Sequence, residues 1–312
     1  MRIPPLGRLG RAGNDHQMPK TLMERTLAVS AVLLLAVVPL RADEKKEPGL
    51  YMTGDVGFLW TSGNSEANSL GLKLDLTRLW SKQAFRLSAG ALRQASSPAR
   101  IAVGTPTDYE LEVLDPTTTA EEYFARAAYD RQINDRLFYT LGAGWERRPF
   151  AGIDNRWMAG AGLGYALAMG EPTDFRAILG FTYTNEDPIV DDPTVESDFV
   201  GLRLSWDLKQ TISSNTKLTH GFRFDQNLSE SSDSRIDTDV ALVVSINKVL
   251  ALKAGMRLWF DNQPALEELP LFDPSGPPLG LTVPVRLKKV DTQASLSLVV
   301  NLARKDPIPP AP

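Results

Sequence analysis

RLFYTLGAGWERR (136–148), PFAGID (149–154), NRWMAGAGLGYALAM (155–169), GEP (170–172) and TDFRAILGFTYT (173–184) follow one another without a break. In the first segment Leu137, Tyr139, Leu141, Ala143 and Trp145 share one parity, and Phe138, Thr140, Gly142, Gly144 and Glu146 share the other. Trp157, Ala159, Ala161, Leu163, Tyr165 and Leu167 repeat the apolar row, as do Phe175, Ala177, Leu179, Phe181 and Tyr183. A period of two sustained this long means extended strand with one apolar face. The opposite face carries glycine, threonine, Glu146 and Arg176, so it is not a second packed core. Aromatic residues gather toward the ends of the apolar rows. An apolar band, aromatic girdles and a polar inner face are the marks of a transmembrane β-barrel strand.

The alternation continues in both directions. Upstream it runs through Leu50–Thr61, Ser69–Trp80, Gln83–Gln94 and Glu121–Gln132; downstream through Phe199–Lys209, Thr216–Asp225, the strand holding Val240–Ile246, Leu250–Phe260 and Ala294–Leu302. The segment Ala95–Thr118, the acidic EDPIVDDPTVESD (186–198) and the proline-rich Asn262–Leu287 read as loops. About twelve strands result, an even number with short turns on one side and longer loops on the other, which is the asymmetry of outer-membrane barrels. The expected fold is all-β, an up-and-down antiparallel transmembrane barrel with short turns and both termini at the periplasmic side. Trp259 falls on the polar parity and predicts a local bulge.

The sequence has 312 residues, with 34 Lys+Arg against 38 Asp+Glu and no Cys, which excludes disulfides, thiolate metal sites and a cysteine nucleophile. The apolar run LAVSAVLLLAVVPL (27–40) is too short to span a bilayer as a helix and follows Lys20 and Arg25. Residues 1–42 therefore read as a cleaved secretory signal peptide with a long n-region, 43–49 as a short lead, 50–303 as the barrel and 304–312 as a disordered proline-rich tail. Residues 1–42 hold six Lys/Arg and two Asp/Glu, so their removal takes the net charge from −4 to −8. An acidic chain without a basic stripe gives no reason to expect nucleic-acid binding.

Several stretches resemble the YdiY-like salt-induced outer-membrane proteins, a family built around a domain of unknown function. They are GFLWTSGNS (57–65), YDR (129–131), NDRLFY (134–139), RRPFAGID (147–154) and GAGLGY (160–165). The resemblance covers nearly all of the chain after residue 42. It implies location in the outer membrane of a Gram-negative envelope and a link to salt or osmotic stress, and it supplies no established activity.

Candidate chemistry is sparse. The expected lumen lining is Lys73, Asp75, Arg86, Arg126, Asp130, Glu146, Arg176, Arg203, Asp207, Lys217, Arg223, Asp225, Lys253 and Arg257, with Arg93, Lys209 and Asp261 on the same polar face. Its basic excess fits a pore for anionic solutes; the competing reading is an interior closed by paired charges, because isolated buried charges are costly. Trp60, Trp80, Tyr139, Trp145, Trp157, Tyr165 and Trp206 are the expected aromatic girdle. His220, the one histidine after residue 42, shares parity with the apolar face; a lipase-like barrel would need a serine within reach of it, and Ser205 has the opposite parity. The acidic loop, with Asp187, Asp191, Asp192, Glu196 and Asp198, lacks the spacing of a calcium loop. Gly160, Gly162 and Gly164 are followed by no helix, so they are no nucleotide fingerprint; bare backbone at the lumen leaves room for long neighbouring side chains. The expectation is a barrel without enzymatic activity, cofactor or metal, a small pore or a structural envelope barrel. Its expected partners are outer-membrane lipids and lipopolysaccharide, with the barrel-assembly machinery during biogenesis, and its expected state is a monomer. The alternatives are a lipid-modifying enzyme and a soluble periplasmic β-domain.

Overall fold

The computed structural model describes residues 48–61, 67–96, 100–105, 108–113, 117–272 and 278–302. The expected signal peptide, most of the lead and the tail lie outside the described residues, as does the side chain of Trp60. Twelve strands close a barrel: β1 (Gly49–Thr61), β2 (Ala67–Leu79), β3 (Gln83–Ser96), β6 (Thr117–Gln132), β7 (Leu137–Arg148), β8 (Ile153–Ala168), β9 (Thr173–Pro188), β10 (Asp198–Thr211), β11 (Thr216–Asn227), β12 (Ser234–Ser245), β13 (Leu250–Asp261) and β16 (Val290–Asn301). Each pairs antiparallel with its neighbours, and β1 closes the ring against β16 over Thr53–Val56. Closure pairs every barrel strand with two neighbours, and the seam between β1 and β16 is the shortest pairing in the ring.

The register carries the alternation straight into space. Leu204 stands between Leu179 and Phe224, and Asp207 between Arg176 and Gly221, so apolar rows align with apolar rows around the ring. The apolar rows face outward. Leu296, Phe181 and Leu163 are 64%, 61% and 58% exposed, and among the described residues no large side chain is fully buried. A soluble sandwich would bury these rows between its sheets; here their solvent is lipid. The short connections obey local turn chemistry. Asn134 Oδ1 accepts from the Arg136 and Leu137 amides, and Asn247 Oδ1 from the Val249 and Leu250 amides, as side-chain-capped turns do.

Three expectations need correction. Two long segments read as loops contain hairpins, β4 (Arg100–Thr105) with β5 (Asp108–Val113), and β14 (Leu266–Phe272) with β15 (Pro278–Arg286). Each is a separate two-stranded sheet in which every strand is an edge, so Pro270, Pro278 and Pro284 cost no ladder of a central strand. Several barrel strands overrun their expected ends: β9 continues to Pro188, β12 starts at Ser234 and β16 at Val290. These ends are polar and lie on the long-loop side, where the apolar signal stops before the pairing does. Finally, β13 pairs with β12 and β16 without a register shift, so Trp259 marks no bulge. It faces the lumen on the same parity as Arg257, whose guanidinium lies 4.2 Å from its ring centroid.

Candidate functional site

The inward row of each strand is where charge collects, and cross-strand register decides its partners. In the half nearer the short turns, Arg86 of β3 makes a bidentate pair with Asp130 of β6 at 2.5 and 2.8 Å. Arg176 of β9 joins Asp207 of β10 at 3.0 Å and reaches Asp130 at 3.4 Å. The Asp207 side chain stays 62% accessible, so this layer is wet. Lys73 meets Asp75 at 2.9 Å, and Lys253 reaches past β16 to Asp55 of β1 at 2.8 Å. Lys217 departs from the expected lumen set. It caps the short-turn rim by pairing with Glu171 at 3.0 Å, and hydrogen bonds from Thr211 and then Lys217 hold the Glu171 carboxyl below its ordinary range. Arg93 departs too, since its parity along β3 is that of the outward Leu87 and Ala91.

Toward the long loops the charges are drier and bridge the barrel. Glu146 accepts from Arg156 at 2.8 Å, Arg126 at 3.2 Å and Arg148 at 3.3 Å, and Arg156 also binds Glu186 at 2.7 Å. Arg235 of β12 joins Glu186 of β9 at 3.1 Å. Arg257 chelates Asp237, which also accepts from Arg223, and reaches Glu122 at 3.2 Å. Arg257 and Glu122 sit on β13 and β6, with four strands between them by the shorter way round. Arg148 lies 5.7 Å from the Trp259 ring centroid, and their strands, β7 and β13, are diametrically opposed. Side chains from facing walls therefore touch across the lumen.

Asp55, Glu122, Arg148, Arg156, Glu186, Arg235 and Asp237 were missing from the sequence-based lining. Asp55 and Glu122 lay in the recognised strands and could have been found by extending the polar parity. The others lie at strand ends or in segments read as loops. The added residues include four acids and three bases, so the basic excess narrows.

Between the two layers lies a chamber of about 720 Å³ lined by residues from all twelve barrel strands. The glycines of the inward rows serve close approach. A Cβ on Gly164 would stand 2.1 Å from the Phe138 ring, so there glycine makes room for a side chain; at Gly160 and Gly162 it would stand 2.8 Å from the carbonyl oxygens of Phe181 and Leu179, so there it makes room for neighbouring backbone.

Outside, Trp145 and Trp157 lie 6.2 Å apart toward the long loops, with Trp145 donating to Asn155. Trp80, Tyr139 and Tyr165 belong to strand ends near the short turns. Trp206 departs from the girdle. It lies in mid-strand, stacked 3.9 Å from Phe222, and donates through Nε1 to His220 Nδ1. That bond leaves the proton on His220 Nε2, which donates to Thr238 Oγ1, and Thr238 donates to the Gly221 carbonyl. In the acidic loop, Asp192 accepts from Thr194 and pairs with Arg286 at 2.6 Å; among the described residues no cluster of three metal-ligating groups forms.

A closed twelve-stranded antiparallel barrel with a lipid-facing apolar exterior and an ionised interior defines a transmembrane barrel of the outer-membrane type. The chain belongs to the family described as Protein of unknown function, DUF481, which matches residues 54–301. No curated protein matches the sequence. Among solved structures it is similar to the NanC porin (9% identity, TM-score 0.43, 80% of this chain and 98% of that one). It is also similar to the translocator domain of the autotransporter NalP from Neisseria meningitidis (12%, 0.38, 90% and 94%) and to an anion-selective porin from Comamonas acidovorans (11%, 0.35, 82% and 100%). These likenesses are too distant to transfer a solute or a partner.

Proposed function

We propose that this protein is a non-enzymatic barrel of the outer membrane whose lumen is closed by ion pairs on the loop side, so that it serves the envelope structurally and conducts little at rest. The observation that carries this reading is the Arg257–Glu122 contact across the lumen, beside a layer in which the Glu146 and Arg156 side chains are 7% and 6% exposed. Delivery by a signal peptide, a monomeric state, lipopolysaccharide as its surrounding lipid and a role in salt or osmotic stress belong to the same proposal. The test is planar-bilayer conductance of the refolded chain lacking residues 1–42. Silence, or steps far below those of an open porin, is expected; large steady steps from folded protein would overturn the closed lumen.

The lipid-modifying alternative loses support from its own candidate base. Both ring nitrogens of His220 are engaged by Trp206 and Thr238, and Ser205 points to the lumen. Unchanged envelope lipids in a His220→Ala strain are expected, whereas a lipid defect would revive the enzyme.

A further inference from the structure

The chamber between the ionic layers has the size of a small-molecule site, and three guanidiniums facing it are short of acceptors. Arg126 donates one hydrogen bond, to a Glu146 already shared with Arg148 and Arg156, and its Nε is buried without a partner. Arg203 uses Nε on Asp225 at 2.6 Å, but its Nη2 finds only the Met158 thioether at 3.6 Å, a weak acceptor. Arg223 donates one bond, to an Asp237 that Arg257 already chelates. Three guanidiniums carry about fifteen N–H groups, of which four meet protein acceptors. Register makes Arg203 and Arg223 diagonal neighbours on one face of the β10–β11 pair. Overall the chamber is lined by seven Lys/Arg and five Asp/Glu.

Donors in excess, on planar forks, with Glu146 and Asp237 already shared among several arginines, match an acceptor that the protein does not supply. We propose that the chamber binds a small solute bearing a phosphate or carboxylate group, held by Arg126, Arg203 and Arg223. Ser69, Ser295 and Ser297, which line the same chamber from β2 and β16, offer hydroxyls to the rest of the solute. Guanidinium pairs with either oxyanion bidentately, and a barrel interior of lower effective dielectric than water strengthens the pairing. The site goes beyond the closed-barrel reading and does not depend on it, since binding needs access from one side only.

The experiment is calorimetric titration of the folded, detergent-solubilised chain at low chloride, with inorganic phosphate and with gluconate as probes of the two oxyanion classes. Saturable binding of at least one is expected. Arg223→Gln should weaken it by about tenfold, the loss of one charge-assisted bond or more. Lys73→Gln removes the same charge from the lining, away from the three arginines, and should change affinity by less than about twofold, since its pair with Asp75 is half exposed. Folding of each variant is read from heat-dependent gel mobility, and Arg203→Gln substitutes if Arg223→Gln does not fold. No saturable binding of either probe, or equal losses in Lys73→Gln and the arginine variant, would overturn the site. Bilayer conductance reads lumen closure separately, so the two proposals fail independently.

Discussion

Glu146 and Asp75 sit on equivalent inward positions and differ in what surrounds them. The Glu146 side chain is 7% exposed and answers three arginines, whereas the Asp75 side chain is 36% exposed beside one lysine. Removing one partner of a buried ionic cluster leaves uncompensated charge, which costs about 3–5 kcal/mol, while an exposed pair contributes about 0–1 kcal/mol. Glu146→Gln is therefore expected to lower unfolding stability in lipid vesicles by several kcal/mol, and Asp75→Asn by under about 1 kcal/mol, in parallel denaturant titrations. The sequence placed both residues on the lumen side and could not rank them. Parity states the face; the partners Arg126, Arg148 and Arg156 depend on register across three strands and on a turn, PFAGID, that interrupts the alternation. His220 was similarly legible as outward, but not its bonds to Trp206 and Thr238, which come from two other strands.

The β14–β15 hairpin is an element that composition hid, since its prolines read as loop, and it is tied down at few points. Arg286 of β15 pairs with Asp192 of the β9–β10 loop, and Arg286 also donates to the Pro264 carbonyl. Gly152, at φ 75°, lies so close that a Cβ there would stand 2.4 Å from the Ala265 Cβ. The hydrogen bond from the Thr194 hydroxyl, with its amide and the Arg286 charge, holds the Asp192 carboxyl below its ordinary value. A depressed acid pKa contributes stability that is complete above the ordinary value, about 3.9, and is lost as pH falls through the depressed one. Protection factors for amide exchange over residues 262–272 and 278–289, which divide out the intrinsic pH dependence of exchange, are thus expected to be flat from neutrality down to about pH 4 and to fall below it. Arg286→Gln should show fast exchange already at neutral pH. Gly152→Ala should loosen the same segment, because the left-handed backbone alone costs about 1 kcal/mol or more for a residue with a Cβ.

At the scale of the whole barrel, the strand number and the short-turn asymmetry were legible because each is a local property, a period of two broken by turn residues. The contacts across the lumen were not legible, because Arg257 and Glu122, or Arg148 and Trp259, meet only when walls five or six strands apart are brought face to face. If those bridges close the lumen as proposed, they make a gate that can be dismantled by truncation. Arg148→Ser combined with Trp259→Ser and Glu122→Gln is expected to raise single-channel conductance several-fold over the native chain while leaving the barrel folded. Conductance unchanged in a folded triple variant would mean that other groups close the lumen. Salt distinguishes this gate from a surface latch. Raising ionic strength from about 0.15 to 1 M shortens the screening length from about 8 to 3 Å, but buried pairs are screened far less than exposed ones. Native conductance should therefore rise no faster than bulk conductivity over that range. A disproportionate rise would show that mobile ions enter the Glu146–Arg156 layer, which its low exposure argues against. If the flat response holds, any salt dependence of this barrel in the cell acts on its amount or its ligand, not on its gate.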